Sequence, residues 1–135
     1  MRRFSRKRNT KPVEWVKDET VRDRVVRLVV DLEIHWVMPG AIHTFRSYNS
    51  NSNAVARIWG LNKVWQIALG AEPNYVIEVI SERFDRLSER DKDEVILHEL
   101  AHIPRNFSGA LMAHSHSKGA FHDKLKKFMK DYRGK

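Results

Sequence analysis

At 135 residues, with 41% hydrophobic positions and four Trp, the chain is most simply one domain with a core of its own. It has no cysteine, which excludes disulfides and thiolate zinc ligands, so any zinc must be held by His and carboxylate. No apolar run approaches the roughly 20 residues of a membrane span and none follows the basic N-terminus as in a secretory signal, so the expectation is an intracellular, cytoplasmic protein. The net charge of +8 either draws the chain to polyanions or serves solubility.

Residues 1–12 carry Arg2, Arg3, Arg6, Lys7, Arg8 and Lys11 and no acid. Like charges with little to bury predict a flexible basic arm, and 13–135 a single folded domain. The arm is either a phosphate-contacting tail, with Phe4 stacking on a base, or a solvated terminus.

The stretch 12–17 is expected to lead into a helix capped by Asp18 or Thr20. Val21, Val25, Leu28, Val29 and Leu32 recur at helical spacing, which predicts a core-facing helix to about Trp36, with His35 structural. Pro39-Gly40 stops it. A strand is expected at 41–47, placing His43 on it as a non-ligand, then a polar loop at 48–53. Residues 54–59 and 63–69 read as short strands joined by a tight turn at Gly60-Leu61-Asn62, and 75–80 (Tyr-Val-Ile-Glu-Val-Ile) as the clearest strand. Trp59, Trp65 and Tyr75 are expected in the core.

After a connector at 81–87, Ser88 and Asp91 resemble a capping box. Glu89, Asp91, Asp93 and Glu94 then crowd the first turns of a helix, where its dipole favours acids. Pro104 ends that helix. It carries His98-Glu99-Leu100-Ala101-His102. Imidazoles four residues apart lie on one helical face and can reach one divalent metal, for which zinc is the usual guest. Glu99, about 100° round the helix from His98, is placed to take a proton from a water at the metal rather than to ligate it. This H-E-x-x-H arrangement belongs to zinc hydrolases, most often peptidases. The alternative is two solvated histidines on a surface helix. Against it, Val95-Ile96-Leu97 precede the motif, and five of the seven His fall at or after His98.

A catalytic zinc keeps three protein ligands and one open position. No Glu follows Glu99, which excludes a glutamate from a later helix, and Arg105 and Ser108 break the longer pattern with a third His at fixed spacing. His114, His116, His122 and Asp123 remain. The last two lie in a final helix with Phe121, Leu125, Phe128, Met129 and Tyr132 as its apolar stripe and Lys124, Lys126, Lys127, Lys130 and Arg133 on its other faces. His116, with His114 as its alternative, lies just before that helix, where the chain can fold back over the site.

The strand at 75–80, Phe84-Asp85-Arg86-Leu87, the run 96–103 around the motif, Phe107-Ser108-Gly109-Ala110-Leu111 and the His114/His116 pair form one pattern covering a little under half of the chain. In it the chain resembles the small zincin-like metallopeptidases of archaea, bacteria and phages, and is similar to the SprT-like branch of zinc peptidases. The resemblance implies His98 and His102 as ligands, Glu99 as general base and one of His114 and His116 as third ligand. It departs from SprT-like proteins in lacking the cysteines of their frequent zinc ribbon.

The expectation is an α+β, zincin-like fold: a small, mostly antiparallel sheet of three to four strands packed on an N-terminal helix, the motif helix and a C-terminal helix. Its function is expected to be Zn²⁺-dependent hydrolysis of peptide bonds in a protein or peptide substrate. Two rivals stand beside this: a basic nucleic-acid-associated module with a structural zinc, and a metal-dependent nuclease. Nucleic acid would be held through the basic arm and the last helix.

Overall fold

Asp18 sets the first element boundary. In the computed structural model, which describes residues 8–114 and 118–135, its backbone is extended and its carboxylate accepts from the Val21 amide at 3.0 Å. That caps helix α1 (Glu19–Asp31), whose Val21, Val25, Leu28 and Val29 are buried. Residues before such a cap are extended, so Glu14–Lys17, expected to lead into the helix, instead form strand β1. The helix stops at Asp31, short of Trp36, because Glu33 adopts the left-handed conformation (φ 54°) and the Ile34 amide turns back to the Val29 carbonyl. Ile34 and Val37 still reach the core from the turn that follows, so their spacing imitates a longer helix.

Asp18 also receives Thr20 Oγ at 2.5 Å and Arg46 Nε at 2.6 Å. Burial alone would raise this carboxyl, but the hydrogen bonds from Thr20, Arg46 and Val21 outweigh it and hold Asp18 at about 2, below its usual 3.8. Its contribution to stability is therefore complete above pH 3.8 and is lost as pH falls through about 2. Asp18→Ala is expected to cost about 2 kcal/mol at pH 7, the sum of a lost cap and a half-orphaned Arg46. In urea unfolding, a gap between wild type and variant as wide at pH 2 as at pH 7 would contradict this.

The sheet runs β1-β2-β4-β3, with β2 Ile42–Tyr48, β3 Ala56–Gly60 and β4 Tyr75–Ile80. β1/β2 and β3/β4 pair antiparallel; β2/β4 pair parallel, Ile42 opposite Tyr75. The sheet is thus mixed, two of its three pairings antiparallel. Alternation puts Ile42, Tyr75, Ile77 and Val79 on the face covered by helices, all buried. The other face carries Trp15, Trp59, Arg57 and Glu78. Glu78 is buried and accepts from Arg57 Nε (2.9 Å) and Trp59 Nε1 (3.1 Å).

Residues 63–69, expected as a strand, form helix α2 (Lys63–Leu69). The Asn62 side chain accepts from the Trp65 amide, and Gly70 ends the helix at φ 62°. These two caps outweigh the β preference of Val64, Trp65 and Ile67. Gln66 is its one buried residue, while Val64, Trp65, Ile67 and Leu69 are exposed. Trp65 and Trp59, expected in the core, are both about half exposed; Tyr75 is buried as expected.

A short helix α3 (Ser81–Phe84) turns the chain into α4 (Glu89–Ala101), and α5 (Ala120–Arg133) packs on α4. Asp93 of α4 is the polar tie between these helices. It accepts from Arg24 Nη1 (2.7 Å) and Arg27 Nη2 (2.6 Å) of α1 and from Tyr132 Oη (2.6 Å) of α5. Among the described residues no helix is long and apolar enough to cross a membrane.

Candidate metal centre

The motif helix begins where Ser88 Oγ accepts from the Asp91 amide (3.1 Å), as its capping pattern predicts. Ile96, Leu97, Leu100 and Ala101 are fully buried, which sets the rotation of α4 about its axis. That rotation leaves His98, Glu99 and His102 together beside the β3 edge of the sheet. His102 is the C-cap but keeps helical backbone angles (φ −72°, ψ −16°), so the two imidazoles stay in helical register with ring centres 5.3 Å apart.

The chain then leaves the helix at Pro104 and returns. Phe107 and Gly109 take left-handed angles (φ 49° and 91°). Tyr75 Oη accepts from the Gly109 amide and donates to the Ala110 carbonyl, both at 2.8 Å. Gln66 Nε2 donates to the Ser108 carbonyl. The fit against the sheet is so close that a side chain at Gly60 would strike the Gly109 carbonyl. At the end of the loop the Met112 amide donates to the His102 carbonyl (2.7 Å), and His102 Nδ1 lies 2.8 Å from the Met112 carbonyl oxygen. A carbonyl can only accept, so Nδ1 carries the proton and Nε2 keeps a free lone pair.

Two residues further on, His114 completes a triangle. Its ring centre is 5.1 Å from that of His98 and 5.8 Å from that of His102. Three imidazoles bound tetrahedrally at about 2.0–2.1 Å from a zinc would have ring centres about 5 Å apart. Phe121 of α5 forms an apolar floor, 4.3 Å from the His102 ring and 5.0–5.3 Å from the other two. Among the described residues no group of three or more His, Cys, Asp or Glu side chains is arranged to hold a metal ion as the side chains stand. Ring spacing and the His102 tautomer are the features of the three imidazoles compatible with one. His116 lies outside the described residues. His35 and His43 are exposed and remote, His43 bonding Asn74 (2.9 Å), and His122 is half-buried on α5.

Burial and the neighbouring His102 and His114 push His98 down to about 4, and burial also lowers His102 against its bond to Met112. Both rings are thus neutral at pH 7, as metal ligands must be. Burial pushes Glu99, 8% exposed, up to about 7. A carboxyl poised near neutral pH can both take and return a proton. His98 and Glu99 open on a cleft of about 340 Å³ whose other walls include Val55, Ala56, Val95 and Met129.

The sequence had no signal for the supporting groups. Met112 acts through a backbone carbonyl, which any residue supplies. Lys124, expected on a basic outer face of α5, is 6% exposed beneath the loop, where its Nζ donates to the Ile103 carbonyl (2.6 Å) and contacts Met112 Sδ (2.9 Å).

Comparison with curated proteins and with solved structures returns no significant match. The model of one family, described as "Putative phage metallopeptidase", matches residues 13–133. That match carries the metallopeptidase side of the resemblance and not its SprT-like branch. Spanning both the sheet and the H-E-x-x-H helix, it means that the chain belongs to this phage metallopeptidase family.

Proposed function

We propose that the chain is a zinc-dependent peptidase in which His98, His102 and His114 hold the metal and Glu99 handles the proton. The observation that carries this is Glu99 itself, buried beside neutral imidazoles and poised near pH 7. Zinc bound there would supply Lewis-acid chemistry, polarising a scissile carbonyl and acidifying a water. A Glu99 carboxylate oxygen takes the proton of the attacking water and delivers it to the leaving amine nitrogen. Phe121 and the buried face of α4 keep bulk water from the floor of the site.

β3 is an edge strand. Val55 and Leu61 spend their backbone groups on Ile80 and Asn74. The alternate residues Ala56, Ile58 and Gly60 therefore direct theirs to the free edge, where an extended peptide can add as a strand. The apolar cleft wall at Val55, Val95 and Met129 suits an apolar side chain next to the bond that is cut.

The test is elemental analysis of the wild type and of His98→Ala, His114→Ala and His116→Ala, with peptide cleavage measured alongside. About one zinc per chain is expected, lost in His98→Ala and His114→Ala and kept in His116→Ala. Cleavage should stop with a chelator and return with zinc. Zinc lost from both His114→Ala and His116→Ala would instead indicate a closed, structural site.

A further inference from the structure

Lys124 is buried at a cost that packing does not explain. The residue is 6% exposed, and among the described residues no carboxylate pairs with its ammonium. A leucine or methionine would fill the same slot without desolvating a charge. Its contacts show what the charge adds. Nζ donates to the carbonyl of Ile103, the residue after His102, and reaches Met112 Sδ, nine residues further on. The Trp36 ring lies 4.6 Å from Nζ and offers its face to the cation. Tyr75 and Gln66 hold only the middle of the loop, at Ser108, Gly109 and Ala110. Lys124 reaches both of its ends, beside the direct bonds between His102 and Met112.

We propose that Lys124 is a positioning residue for the metal centre: by clamping Ile103 to Met112 it holds the Met112 carbonyl on His102 Nδ1 and so keeps Nε2 as the ligand atom. The inference rests on His102 being a ligand, as argued above. Partners that fix the second nitrogen of a ligating imidazole set its tautomer and orientation, and their loss weakens metal binding by about 10–100-fold. A side chain that merely filled space would affect folding stability and leave both the tautomer and the zinc affinity alone.

The experiment titrates zinc into the metal-free full chain against a competing chelator and follows the His102 ring proton by NMR. Lys124→Met keeps the stem and removes the ammonium; Lys127→Met, an exposed neighbour on α5, is the control. The expected result is zinc affinity about 10-fold weaker or more in Lys124→Met, with the Nδ1 proton, protected in the wild type, lost to exchange. Lys127→Met should match the wild type in both. Should Lys124→Met fail to fold, Met112→Leu decides: it keeps the carbonyl and removes the sulfur contact, and several-fold weaker zinc binding is expected. Wild-type affinity and a protected ring proton in whichever variant folds would overturn the clamp. His102→Ala separates the two ideas. If it loses zinc while Lys124→Met binds normally, only the clamp fails; if it keeps zinc, the ligand assignment fails and the clamp with it.

Discussion

Glu99→Gln is expected to reduce peptide cleavage by at least about 10²–10⁴-fold while leaving the metal content unchanged. Glutamine has the shape of glutamate but cannot accept a proton, so the loss isolates proton transfer from binding. If zinc leaves with the substitution, Glu99 is a ligand and the proposed mechanism is wrong. The same variant carries a second expectation, in the metal-free protein. Burial raises Glu99 from 4.5 to about 7, so the folded chain binds a proton that the unfolded chain has released. Below pH 4.5 both states are protonated and there is no penalty. As pH rises from 4.5 to about 7 stability falls, and above that the deficit is complete. The shift corresponds to about 3 kcal/mol. Metal-free Glu99→Gln should therefore match the wild type in urea unfolding at pH 4.5 and be more stable by about 2–3 kcal/mol at pH 8. Equal stabilities at pH 8 would mean that the carboxyl is not held in a desolvated site. The activity loss and the stability gain have one cause, since the burial that readies Glu99 for proton transfer also strains the empty fold.

Asp93→Ala is the second large effect, and it acts through the scaffold. Asp93 is 5% exposed and joins α4 to Arg24 and Arg27 of α1 and to Tyr132 of α5. Burial alone would raise its pKa, but the hydrogen bonds from Arg27, Tyr132 and Arg24 outweigh this and hold the group ionised. Removing it leaves Arg24, with a side chain 16% exposed, one partner short though still paired with Glu89; Arg27, about half exposed, can return to water. A broken buried ion pair costs about 3–5 kcal/mol, and the escape of Arg27 places this one near about 3 kcal/mol. The melting temperature should fall by about 10 °C or more. A loss below about 1 kcal/mol would show that the three-helix contact stands without its polar centre. Zinc affinity should fall as well, because Asp93 anchors the N-terminal half of the helix whose C-terminal half carries the imidazoles.

The parts legible in the sequence were those determined by neighbours along the chain. Ser88, the acids after it and Pro104 mark both ends of α4 through local hydrogen bonds, the helix dipole and a missing amide. The four-residue spacing then places His98 and His102 on one face wherever that helix sits. Tyr75–Ile80 and the apolar stripe of α5 are equally local. Tertiary structure decided what depends on partners distant in sequence. Glu14–Lys17 became a strand because Arg46 and Val21 made Asp18 the cap, and β2 and β4 could pair in parallel only once β3 and α2 had been laid out between them. Lys63–Leu69 is the exception among the misread elements: its caps, Asn62 and Gly70, are neighbours along the chain, and they outweighed a β-prone composition. In the site, sequence proposed two candidates for the third imidazole. The loop tied by Tyr75, Gln66 and Lys124 brings the His114 ring beside the pair, with His116 outside the described residues, and those ties join residues up to 42 positions apart. Lys124 is the sharpest instance: helical periodicity assigned it to solvent, whereas two acceptors on a loop that folds beneath α5 drew it inside.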